Sequence, residues 1–261
     1  MNNSEKQTTA QPKMVALFVS DVHLNPGLPK TTTAFLQFLK TYGTQTEQLY
    51  LLGDLFEYWV GDDDLNDPYN HFIVEALREL SQLGVKLFWI AGNRDFLIGA
   101  QFANATGARL IDDPSIIYAG GKKIVLCHGD AQCTDDISYM QFRKQVRDKN
   151  WQSHFLAMPL AQRKTIVQGM RESSKSEQIQ KETSIMDVNP DAIDALFLST
   201  KCDYIIHGHT HRPARHITQG KCRYVLPDWD CDGQQARGGW IAITSQGNIE
   251  RIDVDGKIIH P

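Results

Sequence analysis

Five short stretches concentrate carboxylate, carboxamide and imidazole side chains. They are Ser20-Asp21-Val22-His23, Gly53-Asp54-Leu55-Phe56-Glu57, Gly92-Asn93-Arg94-Asp95, His128-Gly129-Asp130 and His207-Gly208-His209-Thr210-His211. Each follows directly on an apolar run of strand length. A single aspartate after a strand is ordinarily a turn former. Five such clusters behind five strands mean more, because loops at the carboxyl ends of strands in an open α/β sheet share one crevice. Asp21 and His23 flank Val22, and His209 and His211 flank Thr210. Extended backbone at both places would point each pair to one face. Such a mixture of donors, without thiolates, suits Mn²⁺, Fe²⁺ or Zn²⁺ better than copper or an iron–sulfur cluster.

The elements that must position these residues are legible as alternating strands and helices. Buried strands are expected over 14–20, 48–52 and 85–90, with helices over 33–42, 68–83 and a short one near 97–104. Strands follow over 115–118 and 122–127, joined across Gly120-Gly121, and over 203–206. The last quarter reads as two hairpins, 216–218 with 223–226 and 240–244 with 249–254. Residues 135–189 show no strand pattern and read as helical, with breaks near Asn150, Pro159 and Gly169. A helical stretch between two strand regions is expected to be an insertion that caps the sheet. The organisation expected is a disordered tail over 1–13 and one domain over 14–261, with the cap at about 135–189. Asp62-Asp63-Asp64 reads as a solvated loop, and His207 as a core or supporting residue.

Composition excludes several classes. An apolar share of 41% supplies a core, so wholesale disorder is ruled out. No apolar run reaches the roughly 18 residues of a membrane span, and the polar N-terminus lacks the apolar stretch of a secretory signal. Five cysteines at irregular spacing form no disulfide or zinc-thiolate framework and read as reduced thiols. The net charge of −4 argues against nucleic acid as a partner.

In type and order, Asp21, His23, Asp54, Asn93, His128, His209 and His211 resemble the ligands of the calcineurin-like metallophosphoesterases, over blocks running from Ser20 to Pro213. That resemblance implies an α/β fold, a four-layer αββα sandwich. It also implies two metal ions, one taking Asp21, His23, Asp54 and His211, the other Asp54, Asn93, His128 and His209, with manganese as the metal. Two divalent ions opposed by two carboxylates leave a surplus of about two positive charges, suited to a phosphate group and an activated water.

Most members of that superfamily carry histidine after the Gly-Asn of the third block, as a general acid. This chain has Arg94. A guanidinium stays protonated and cannot supply a proton, but it can hold phosphate oxygens in a fork. A leaving group that needs no acid, such as a phosphate monoester, is then expected. Arg94, with Gly53 to Trp59, His209 to Pro213 and His216, and Ile185 to Asn189, resembles a narrower family, the UDP-2,3-diacylglucosamine hydrolases of lipid A biosynthesis. The resemblance implies hydrolysis of that sugar nucleotide to UMP and 2,3-diacylglucosamine 1-phosphate, with water attacking the α-phosphorus, at the cytoplasmic face of the bacterial inner membrane. It implies Asp54, Asn93, Arg94 and His128 as catalytic residues. Substrate contacts fall on Asn93, Arg94, Asp136, Ser174, Gln178, Lys181 and His209, with Tyr139 as a further candidate. A di-metal phosphoesterase of soluble nucleotides or phosphodiesters is the alternative, and Arg94 counts against it.

The expected cap fits a lipid-linked substrate on its own composition. Residues 141–181 hold nine basic and three acidic side chains, so this segment is +6 and the rest of the chain −10. Interleaved apolar residues such as Phe142, Val146, Trp151 and Phe155 suit an acyl-chain pocket and an anionic membrane surface.

Overall fold

Alternation along the first strand, β1 (Met14–Val19), sends Ala16 and Phe18 to one face and Leu17 and Val19 to the other. All four are fully buried, as a strand covered on both sides requires. The structure, a computed structural model, describes residues 13–180 and 187–259, except for the side chains of 171–180. The tail expected over 1–13 therefore lies, Lys13 apart, outside the described residues.

After β1 come α1 (Pro29–Thr41), β2 (Gln48–Leu51), α2 (Pro68–Gln82), β3 (Lys86–Trp89), α3 (Ala100–Thr106) and β4 (Arg109–Leu110). The chain then forms β5 (Ser115–Ala119), β6 (Lys122–Leu126) and four helices, α4 (Ile137–Val146), α5 (Lys149–Leu156), α6 (Leu160–Gln180) and α7 (Pro190–Thr200). It closes with β7 (Tyr204–His207), β8 (Arg215–Thr218), β9 (Lys221–Val225), β10 (Gly239–Thr244), β11 (Ile249–Asp253) and β12 (Ile258–Ile259).

Two sheets result, in the orders β12-β11-β10-β1-β2-β3-β4 and β5-β6-β7-β9-β8. One apolar cluster lies between the first sheet and its helices, with Leu17, Leu49, Phe35, Phe38, Ile73 and Leu77. A second fills the space between the sheets, with Phe18, Tyr50, Ile90, Leu126, Ile206 and Ile241. A third joins the outer face of the second sheet to α7 through Val125, Ile205, Ile193 and Phe197. The layers are helix, sheet, sheet, helix, the αββα sandwich expected. Register levels the strand ends: Val19 pairs with Leu51 and Leu51 with Trp89, while Leu126 pairs with Ile206 and His207 with Val225. The polar residues that follow therefore emerge side by side.

Several boundaries depart from the sequence expectation for tertiary reasons. α1 begins at Pro29, four residues early, because its first amides, Lys30 N and Thr31 N, donate to the distant Asp232 carboxylate. α3 begins three residues late, where Asp62 accepts from Gly99, Gln101 and Phe102 amides. Gly169 does not break α6, and a Cβ there would touch nothing. α7 was not anticipated, although Asn189 caps it with Pro190 at its first position, a local start signal.

Candidate metal centre and active site

Pairing between β1 and β2 continues past both strands. Asp21 N donates to Gly53 O (3.1 Å), His23 N to Asp54 O (3.0 Å) and Leu24 N to Leu55 O (2.7 Å). The backbone here is not extended. Asp21, His23, Asp54, His209 and His211 all have positive φ, between 53° and 68°. The alternation expected around Val22 and Thr210 is thus not how these side chains reach a common point. Left-handed backbone costs a non-glycine residue on the order of 1–3 kcal/mol. The surrounding hydrogen bonds hold it in place. Gly92 packs so tightly on the Asp54 carboxylate that a Cβ there would collide with it, which explains a glycine at that position.

The side chains converge in two groups whose ligand atoms lie within 4.8 Å of one another: Asp21, His23 and His211, and Asp21, Asp54 and His128. Nε2 of His23 faces Nε2 of His211 at 3.2 Å. Asn93 Oδ1 lies 2.9 Å from both His128 Nε2 and His209 Nδ1, which brings the carboxamide and His209 to the second group. Asp21 Oδ1 is buried without a hydrogen-bond partner. Its other oxygen accepts from Ser20 Oγ and His209 N.

Behind the imidazoles stand two carboxylates and a carbonyl. Glu57 Oε2 lies 3.5 Å from His23 Nδ1 and Asp228 Oδ2 lies 3.6 Å from His211 Nδ1. Leu52 O is 2.8 Å from His128 Nδ1. Asp95, fully buried, accepts from Leu55 N and Gly92 N and so locks two of the loops together. Burial pushes the Asp54 carboxyl up to about 7 and the His23 and His209 imidazoles down to about 3 and about 4. Burial acts on His128 in the same sense, but the Asp54, Asp21 and Asp130 carboxylates outweigh it and raise that imidazole to about 9. Burial would lift Asp21 too, yet the His211, His128 and His23 rings hold it well below the usual carboxylate range.

A cavity of about 830 Å³ opens from these residues. It is lined by Asp54, Asn93, Arg94, His23, His209 and His211, and also by Phe142, Val146, Trp151, Phe155, Val167 and Met170 of α4 to α6. Arg94 is held by its backbone, with its N–H donating to Asp54 Oδ1 (2.8 Å), while its side-chain Nε is buried without a hydrogen-bond partner. Asp136 and Tyr139 also line the cavity. Asp136 caps α4 by accepting from Tyr139 N. Ser174 and Gln178 are described only as helix backbone, and Lys181, Ile185 and Met186 lie outside the described residues.

The expectation of a solvated Asp62-Asp63-Asp64 loop is corrected. Asp62 caps α3 and accepts from Trp59 Nε1. Asp63 and Asp64 pair with Arg163 and Lys164 of α6. Arg163 is 1% exposed and also donates to Val60 O and Met158 O. The acidic run is where α6 is fastened. Asp228 and Asp130 were likewise given no role. Asp228 follows β9 by three residues, so the signal that found the other strand ends applies to it. His207 is buried, with Nε2 3.0 Å from Arg223 Nη1.

The calcineurin-like phosphoesterase family matches residues 14–213 as a sequence profile. Among curated proteins, the chain is 44% identical over 235 residues to the UDP-2,3-diacylglucosamine hydrolase of Ralstonia nicotianae, covering 87% of this chain and 88% of that protein. It is also 44% identical to the proteins of that name from Stenotrophomonas maltophilia, covering 87% and 97%, and Serratia proteamaculans, covering 86% and 95%.

Proposed function

The chain belongs to the calcineurin-like phosphoesterases and, within them, to the UDP-2,3-diacylglucosamine hydrolases, and on that premise we propose that it hydrolyses UDP-2,3-diacylglucosamine to UMP and 2,3-diacylglucosamine 1-phosphate, a step of lipid A biosynthesis. The observation that carries the reading is the cavity, which joins convergent metal-type donors to an apolar chamber under the cap.

The residues fit a pair of divalent cations. An orphaned buried carboxylate oxygen on Asp21, two imidazole nitrogens face to face on His23 and His211 and a buried Asp54 against His128 are arrangements that cations stabilise and an apolar interior does not. Asp21, His23, Asp54 and His211 would hold one ion and Asp54, Asn93, His128 and His209 the other, with manganese as the metal. Bound there, such ions supply Lewis acidity and make water nucleophilic at neutral pH. Arg94, with its free guanidinium Nε in the cavity wall, grips diphosphate oxygens. It has no proton to give, so the departing group must leave unaided, as a sugar phosphate does. His128 and Asn93 orient the phosphorus between the two groups. Asp136, Ser174, Gln178, Lys181 and His209 contact the remainder of the substrate, and the apolar wall takes the acyl chains and excludes water.

The cap also presents Ile137 and Leu156 to solvent, and residues 141–181 carry a charge of +6. No helix among the described residues is long and apolar enough to cross a membrane. The basic charge and exposed apolar side chains of the cap suit a peripheral contact with the anionic cytoplasmic leaflet. Mass spectrometry of products formed with Mn²⁺ in ¹⁸O-enriched water tests the reaction. Label is expected in UMP. Label in the sugar phosphate, or no turnover of this substrate, would overturn the reading.

A further inference from the structure

The loop that carries Asn93 and Arg94 is tied to the cap through one guanidinium. Arg147, the residue that closes α4 at its C-terminus, uses Nη2 to donate to the carbonyls of Ala91 (3.1 Å) and Gly92 (2.9 Å). These are the two peptide oxygens just ahead of Asn93. The guanidinium carbon also lies 5.4 Å from the Phe96 ring centroid, so the group spans the loop from 91 to 96. Asp130, fully buried two residues after His128, sets it in place. Asp130 Oδ2 is 3.8 Å from that Nη2 and accepts from Arg143 Nε and the Tyr139 hydroxyl, each at 2.8 Å.

We propose that Arg147 is a positioning residue for the hydrolysis: it fixes the peptide planes that aim Asn93 and Arg94, and makes their alignment depend on α4 being seated. The inference rests on the reaction proposed above. Gly92 has no side chain of its own to limit backbone freedom, and Asp95 holds only its N–H end. Asn93 Oδ1 must nonetheless stay 2.9 Å from two different histidine nitrogens, and Arg94 N must stay on Asp54. Two carbonyls clamped by one nitrogen remove that freedom at the point where it would do most harm. The same helix supplies Tyr139, Phe142 and Val146 to the cavity, so a ligand that fills the chamber presses on the helix that holds the clamp.

Arg147→Ala is tested on UDP-2,3-diacylglucosamine, with bound metal and thermal midpoint measured on the same preparations. A misaimed loop lowers kcat by about tenfold or more while KM changes less than about threefold. Metal content and midpoint are expected to stay near wild type, and added guanidinium chloride at millimolar concentration restores part of kcat where methylammonium does not. Arg147→Lys keeps a charge without the planar fork and is expected to fall between, and it decides the matter if the alanine variant does not fold. Unchanged kcat in the lysine variant, or a loss that guanidinium does not relieve and that follows metal loss or a lower midpoint, overturns the proposal. A wild-type protein inert toward this substrate would instead sink the reaction assigned above. The same variants on bis(p-nitrophenyl) phosphate would then test Arg147 alone, with the same fall and rescue expected and unchanged kcat overturning it.

Discussion

Arg94 and the seven ligand-type side chains were legible because their chemistry is written in residue type. The carboxylates behind them were not. Glu57 and Asp228 face His23 and His211 at 3.5 and 3.6 Å, Asp228 also pairing with Arg237, and nothing in a linear sequence says which histidine a carboxylate will face. They also change the electrostatics, since a count limited to Asp21 and Asp54 misses two negative charges 3.5–3.6 Å from His23 and His211. A histidine that donates its far N–H to a carboxylate is a better and better-aimed ligand. Glu57→Gln and Asp228→Asn, which keep shape and remove charge, are therefore expected to weaken Mn²⁺ binding by about tenfold or more. Calorimetric titration of each variant checks this, and unchanged affinity in both would mean that the two carboxylates play no part in orienting ligands.

Helices and strands were read well where local pattern decides them and poorly where a distant side chain does. Asp232 extends α1 from two hundred residues away, and Asp62 delays α3 from the neighbouring loop. The positive φ angles at Asp21, His23, Asp54, His209 and His211 contradict the extended geometry that residue spacing suggests, because tertiary hydrogen bonds impose a backbone these residues would not adopt alone. Arg163 shows what fastens α6. Arg163→Met retains much of the packing volume but leaves Val60 O without its donor and Asp63 without its partner. A loss of about 2–3 kcal/mol is expected, measured by denaturant unfolding. A variant as stable as the parent would show that α6 is seated by apolar contacts instead.

For the molecule as a whole, alternating patterns indicated strands and helices in turn; the four layers came from the family resemblance, and neither said which loops would meet. Level strand ends make the difference, and register follows from burial on both faces of β1, β2 and β3. His207 contributes to the acid sensitivity of this core. Burial holds its imidazole down to about 3, against about 6.5 when exposed in the unfolded chain. Between those values the unfolded chain binds a proton that the folded protein refuses. The ring's contribution is thus complete above pH about 6.5 and lost as pH falls toward 3. The midpoint of thermal unfolding should drop on acidification below about pH 6.5, less steeply in His207→Gln; equal slopes would assign the effect to other groups.

That strand-end residues from Asp21 to His211 converge on a pair of cations is most directly tested by anomalous diffraction from crystals grown with Mn²⁺. Two manganese peaks are predicted, one bounded by Asp21, His23 and His211, the other by Asp54, Asn93, His128 and His209. A single peak, or none among these side chains, would contradict it.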